Sequence, residues 1–267
     1  MTPPSAYRGF VCLCGISFIL GWRYLAATFA LALQNDAYTH LLLILPISIA
    51  LVFAASGSRM AQPKPNFLLG SALLIFSLLA GVMGWTRVGN ITDDLRLSLG
   101  MLAVVTWWIG AFVSCFGRFD ARRYIFPLCF LLWLVPLPEF ILNFIVSFLQ
   151  QGSAAAAHLL FAVAGVPVSQ TGATLSVPGL KIEVATKCSS IRSSLTLLVT
   201  SMVMAQLLLR TVWGKAVVIL AAIPLSIIKN GIRVFTLSTL AVYVDPPFLN
   251  GRLHHQGGIV FFLLALA

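Results

Sequence analysis

Residues 97–123 read LSLGMLAVVTWWIGAFVSCFGRFDARR. The first twenty carry no charge, and Arg118, Arg122 and Arg123 follow at once. A helix needs about 20 apolar residues to cross the hydrocarbon of a bilayer, and arginines gathered at its end mark the cytoplasmic side. Residues 97–116 therefore read as a transmembrane helix with its C-terminal end inside. Similar runs lie near 10–33, 39–56, 67–85, 124–138, 189–211 and 216–243, and another opens at 258.

Composition agrees with that reading. Hydrophobic residues fill 60% of the 267 positions and charged residues 9%, with a mean hydropathy of +0.99. A soluble domain carries charge at about a quarter of its positions, so this chain lacks the polar side chains to face water. Disorder, a fibrous repeat and a disulfide scaffold are excluded on the same grounds. The fold class expected is an all-α polytopic membrane protein of about eight transmembrane helices, read as one integral membrane domain over 1–267. The first run is too long for a removable signal peptide and has no small-residue cleavage site. The run opening at 258 is too short to cross, so a short or incomplete last helix is expected.

Segment 139–164 differs from the others. Asn143, Ser147, Gln150, Gln151, Ser153 and His158 interrupt its apolar residues at near-helical spacing. This suits an interfacial or re-entrant helix, or equally a span with a polar face toward the bundle. Sidedness follows from the basic loops. Arg59 and Lys64 in 57–66, the three arginines of 117–123, and Arg210 and Lys215 in 210–215 belong inside. If 139–164 does not cross completely, segments 165–188 and 244–257 both lie outside. One long insert interrupts the helices, a β element over 166–187. Within it TLSVPGLKIEVAT (174–186) alternates apolar and polar residues about Pro-Gly, a hairpin signal.

The net charge of +10 does not indicate nucleic acid, because the bases sit singly between apolar runs and form no stripe with interleaved aromatics. The lipid bilayer is the partner that composition implies. Of five cysteines, Cys12, Cys14, Cys115 and Cys129 lie in apolar runs and read as buried, inert thiols. No CxxC pair and no His at metal spacing occurs, so no metal is expected. No phosphate-binding glycine loop is present, and no cofactor is expected. Haem would need two histidines facing each other from helices, and His158 alone lies within one.

Cys188 stands where the β insert becomes the 189–211 helix. Unpaired N–H groups and the positive dipole end there stabilise a thiolate and could hold the oxyanion of an attacked carbonyl. Lys187 and Arg192 add positive charge, and Ser189 is the candidate cap. A small residue at a helix start is the plainer reading. Arg233, in Lys-Asn-Gly-Ile-Arg with Asn230 beside it, interrupts an apolar helix, where a charge is expensive and marks function. Pro224 and Gly231 are expected to loosen the helix around it, and Glu183 and Asp245 are the acids nearest in sequence for a merely structural ion pair. His254 and His255 precede the final run on the same side as Cys188, and either could accept a thiol proton. His40, beside Asp36, either lines the site or caps the second helix.

These residues resemble the three signature blocks of the exosortase/archaeosortase family of prokaryotic membrane transpeptidases: VATKCSSIRSS (184–194), KNGIRVFTL (229–237) and LHHQGGIVFF (253–262). NDAYTHLLLILPISIAL (35–51) resembles the family's early Tyr-Ser-His block. PLCFLLWLVPLPEFILNFIVSFLQ (127–150) resembles its Pro-x-Pro segment. The resemblance implies a catalytic Cys188, an oxyanion- or thiolate-stabilising Arg233, and an acid/base histidine. His254 has a glycine four residues later, at Gly258, as family sequences do; His255 is the alternative. Ser189, Arg192, His40 and Asn230 would be supporting residues. Ser190 stands where the common pattern has glycine. Implied partners are exported proteins with a Pro-Glu-Pro-like C-terminal sorting signal, a hydrophobic helix and a basic tail, together with an unidentified acceptor nucleophile. The implied location is the plasma membrane with the site on the extracytoplasmic face. Two other readings compete. One is a transporter or polysaccharide-export component using Lys229 and Arg233 as cavity charges, and the other is a non-catalytic scaffold.

Overall fold

The computed structural model describes residues 3–55, 65–86, 91–177, 180–183 and 190–243. The chain divides into two compact units, Met1–Glu139 and Phe140–Ala267. Seven helices among the described residues are long and apolar enough to cross a membrane, which bears out the all-α polytopic class.

The first unit is organised about α4 (Asp93–Arg123). Its span is 78% buried, against 22% for the span of α3 (Phe67–Trp85). In lipid there is no hydrophobic drive to bring helices together, so small residues that admit close backbone approach decide which faces meet. Gly70 of α3 lies against Ser114, and Gly84 against Gly100, where an added Cβ would stand 3.0 Å from the Gly100 nitrogen. The Ser77 hydroxyl donates to Ala103 O across the same seam at 2.6 Å. α1 (Pro3–Gln34) is tied to the other side of α4 by two indoles. Trp107 Nε1 donates to Leu13 O at 2.9 Å and Trp108 Nε1 to Ser17 Oγ at 2.7 Å. Tyr7 and Phe10 add edge contacts to Phe112 and Phe116, with ring centroids 5.2–5.9 Å apart.

α4 extends past the expected end at 116. It breaks at Gly117, whose φ of 88° is in the left-handed region where a side chain is strained, and then resumes through the arginines. Run 124–138, read above as a span, is instead the six-residue α5 (Ile125–Phe130) and a 3-10 turn (Leu131–Leu134). Ten residues of helix are too short to cross, because Pro136 and Pro138 stop its growth. The irregular backbone that follows is satisfied by side chains, as it must be near hydrocarbon. Ser98 Oγ donates to Pro136 O at 2.8 Å, Tyr38 Oη donates to Leu137 O at 2.9 Å, and Glu139 N donates to Asp94 Oδ2 at 2.7 Å.

The crossing capacity lies instead in α6 (Glu139–Val163), one unbroken helix of 25 residues, about 37 Å long. An unbroken helix of that length is not re-entrant. Of its polar residues Ser153 is buried and Gln150 and His158 are half-buried, while Asn143, Ser147 and Gln151 are exposed, as are Phe140, Phe144 and Phe148. The cysteines show the same two-sidedness. Cys115 is buried, but Cys12 and Cys129 are exposed, because an apolar run in a membrane protein faces lipid as often as core.

In the second unit α7 (Ser190–Leu208) and α8 (Val212–Tyr243) form a helical hairpin. The β insert is a three-stranded antiparallel sheet, β1 (Ser169–Thr171), β2 (Thr174–Val177) and β3 (Leu180–Glu183). Val177 pairs with Leu180 across the Pro-Gly positions, as the hairpin reading expected. The other turn contains Gly172 at φ 61°. Leu175 and Val177 are buried against Ala154, Ala157 and Phe161 of α6 and Val234 of α8.

α8 is continuous through Pro224 and Gly231, contrary to the expected loosening. Gly231 instead permits contact with α6: a Cβ there would lie 2.5 Å from Ala156 Cβ and 3.2 Å from Ala157 N. Gly231→Leu is therefore expected to destabilise the protein by about 1–3 kcal/mol through overpacking. The check is a lowered thermal midpoint in detergent, and an unchanged midpoint would mean that the α6–α8 contact is not this close.

Candidate active site

α8 presents a polar face inside an otherwise apolar helix. Ser226, Lys229, Asn230, Arg233 and Ser238 are all buried, with Arg233 7% and Asn230 1% exposed. Lys229 and Arg233 are one turn apart, so they lie on the same side of the helix. Two cations on one buried helix face are not placed there by packing, which would favour leucine at less desolvation cost.

Lys229 Nζ donates to Ser193 Oγ of α7 at 2.7 Å. This bond fixes the register of the hairpin. In an antiparallel pair, one turn forward on α8 is matched by one turn back on α7. Arg233 therefore stands level with the beginning of α7, which opens at Ser190, two positions after Cys188 in sequence. The depth can be estimated as well. From Val212 to Arg233 along α8 is about 31 Å, roughly the full hydrocarbon thickness. The basic turn holding Arg210 and Lys215 lies at one end of that distance and Arg233 at the other.

Asn230 Nδ2 is buried and makes no hydrogen bond among the described residues, and neither do Ser194 Oγ and Ser238 Oγ. Leaving a buried amide donor unpaired costs about 1–3 kcal/mol. Such a donor retained beside two cations is suited to an acceptor that comes and goes. The sheet limits this face from one direction. Its buried residues pack on Val234, the neighbour of Arg233, and Phe235 stacks edge-on against Phe161 at 4.9 Å.

Cys188, Ser189, His254 and His255 lie outside the described residues. Arg192 is exposed, while Ile191, Ser194 and Leu195 around it are buried, so its charge acts from the rim of α7. His40 belongs to the first unit, where its buried ring donates from Nδ1 to Ala37 O at 3.2 Å and closes the turn that leads into α2 (Leu41–Ala55). Two residues of this polar contact are quiet in the sequence: Lys229 reads there only as a transport charge, and Ser193 carries no signal. The spacing of Lys229 from Arg233 was visible, but the Ser193 bond depends on hairpin register.

The chain matches the family described as transmembrane exosortase over residues 32–267. No curated protein and no solved structure matches it.

Proposed function

The chain belongs to the transmembrane exosortase family, and on that premise we propose that it is a cysteine transpeptidase that processes C-terminal sorting signals of exported proteins at the outer membrane surface. The observation that carries this reading is the Lys229–Ser193 bond, which sets Arg233 and Asn230 level with the start of the helix that Cys188 precedes.

The chemistry is acyl transfer. A histidine, His254 or His255, takes the Cys188 proton, and the thiolate attacks a peptide carbonyl of the sorting motif. The carbonyl π-pair moves to oxygen, where the Arg233 guanidinium and the Asn230 amide stabilise the negative charge. Collapse breaks the C–N bond, the histidinium protonates the departing amine, and a thioester is left on Cys188. An amine acceptor or water then attacks the thioester and regenerates the thiol.

Substrates of this kind carry a Pro-Glu-Pro-like motif, a hydrophobic helix and a basic tail. The tail would stop in the cytoplasm and hold the motif at the opposite face. The sidedness drawn from the basic loops supports that placement. With Ile125–Leu134 too short to cross and α6 long enough, the chain still passes once between the 117–123 arginines and the β insert. The assay that tests this reading follows substrate cleavage in plasma membranes for His254→Ala and His255→Ala at matched expression. Loss in one variant alone assigns the base; full cleavage by both variants refutes a histidine-assisted thiol.

Asn230→Leu separates function from stability. The substitution removes an unsatisfied buried donor without removing volume, so the thermal midpoint is expected to hold or rise. Turnover is expected to fall by about 10–100-fold through the lost oxyanion contact. A fall in both would make Asn230 a structural residue.

A further inference from the structure

Within the first unit, an apolar groove of about 370 Å³ runs between α1, α3 and α4. Its walls include Val82, Val104 and Trp107, and its floor is opened by Gly81. At the end where α3 stops and α4 begins, it adjoins a second cavity of about 700 Å³, with Tyr24 and Trp85 shared by both. That cavity contains Arg23 and Arg96.

Arg96 is the unusual member. Its side chain is 19% exposed, and its Nε is buried with no hydrogen-bond partner among the described residues. Its ion pair is a 3.9 Å contact to Asp93, whose carboxylate is fully solvent-exposed at 101% and therefore weakly held. Arg23 lies over the Trp85 ring, 5.7 Å from its centroid. A half-buried guanidinium with unused donor capacity calls for an anion, and two guanidinium groups suit the several oxygens of a phosphate. An apolar slot leads away from them toward the membrane interior, and aromatic rings stand at the boundary, where such rings anchor at the headgroup level.

We infer that this groove is a binding site for an anionic phospholipid, with one acyl chain between α1, α3 and α4 and the phosphate held by Arg23 and Arg96. The two arginines less the exposed Asp93 leave one positive charge, complementary to a phosphodiester with no compensating ammonium. The site is independent of the thiol chemistry proposed above.

The test uses the full-length protein, delipidated in detergent, and phosphatidylglycerol with brominated acyl chains. Bromine quenches tryptophan on contact, and Trp85 and Trp107 line the groove. Their share is obtained by difference from a Trp85→Phe/Trp107→Phe variant. Half-quenching is expected at a phosphatidylglycerol level at least tenfold below that for brominated diacylglycerol. Arg96→Gln should raise it about tenfold, the worth of one charge-assisted contact. Gly81→Leu should abolish the quenching by filling the slot. The nearest atom to a Cβ at 81 is Ala103 Cβ at 3.5 Å, so the variant has room to fold. Equal quenching by the two lipids, or unchanged quenching in both variants, would overturn the site. So would equally effective competition by free glycerol phosphate, because the anion would then need no chain.

Discussion

Cys188→Ala is expected to lower processing of a sorting-signal substrate by about four orders of magnitude or more, with expression and thermal midpoint unchanged. Loss of the nucleophile in a hydrolase that works through a covalent intermediate removes the reaction path and does not merely slow it. Cysteine and alanine differ by a single sulfur atom, so activity and stability should separate cleanly. Cys188→Ser should be almost as inactive, because a hydroxyl ionises far less readily than a thiol and is the weaker nucleophile. The scaffold reading makes the opposite claim, that Cys188→Ser functions fully. The check is the cleaved-to-uncleaved substrate ratio in membranes normalised to enzyme level.

Arg233→Lys is the second large effect, and it falls on a residue the structure places directly. Arg233 is 7% exposed on the buried face of α8. Lysine retains the charge but replaces a planar fork of five donors with a compact ammonium on a different stem. If Arg233 served only to put positive charge in a cavity, as in a transport site, lysine would largely suffice. If it holds a developing oxyanion, the geometry is decisive, and kcat should drop about 10²–10³-fold with KM little changed. A rise in KM alone would instead assign Arg233 to ground-state binding of the substrate. Measuring kcat and KM separately distinguishes the two.

Much of the architecture was legible because membrane insertion reduces folding to a few strong signals. Apolar run length located α1, α2, α3, α4, α7 and α8, and the Pro-Gly of residues 178–179 located the β2–β3 hairpin. The errors have physical causes. Run 124–138 had the hydropathy of a span, but its prolines divide it into short pieces, and hydropathy is blind to that. α6 carries polar interruptions that fit an interfacial helix and a span equally, and in the structure Ser153 is buried while Asn143, Ser147 and Gln151 are exposed. Composition alone does not distinguish a polar face turned to water from one turned to protein.

The site was legible in part for a similar reason. Arg233 stood out because an arginine in an apolar helix is costly. Ser193 did not, because serine is inexpensive anywhere, and only the register of α7 against α8 gives it Lys229 as a partner. The arginines of the lipid groove were also silent in sequence. Arg23 and Arg96 lie 73 positions apart and meet only because α1 packs along the α3–α4 pair.

The central claim is that a peptide becomes covalently attached to Cys188 during turnover. The most direct measurement is mass spectrometry of enzyme quenched in acid during turnover, reading the peptide that contains Cys188. A mass increase equal to the N-terminal substrate fragment, removed by hydroxylamine as a thioester must be and absent from Cys188→Ala, is the predicted result. Turnover at the full rate with no adduct on Cys188, together with cleavage by the alanine variant, would contradict it.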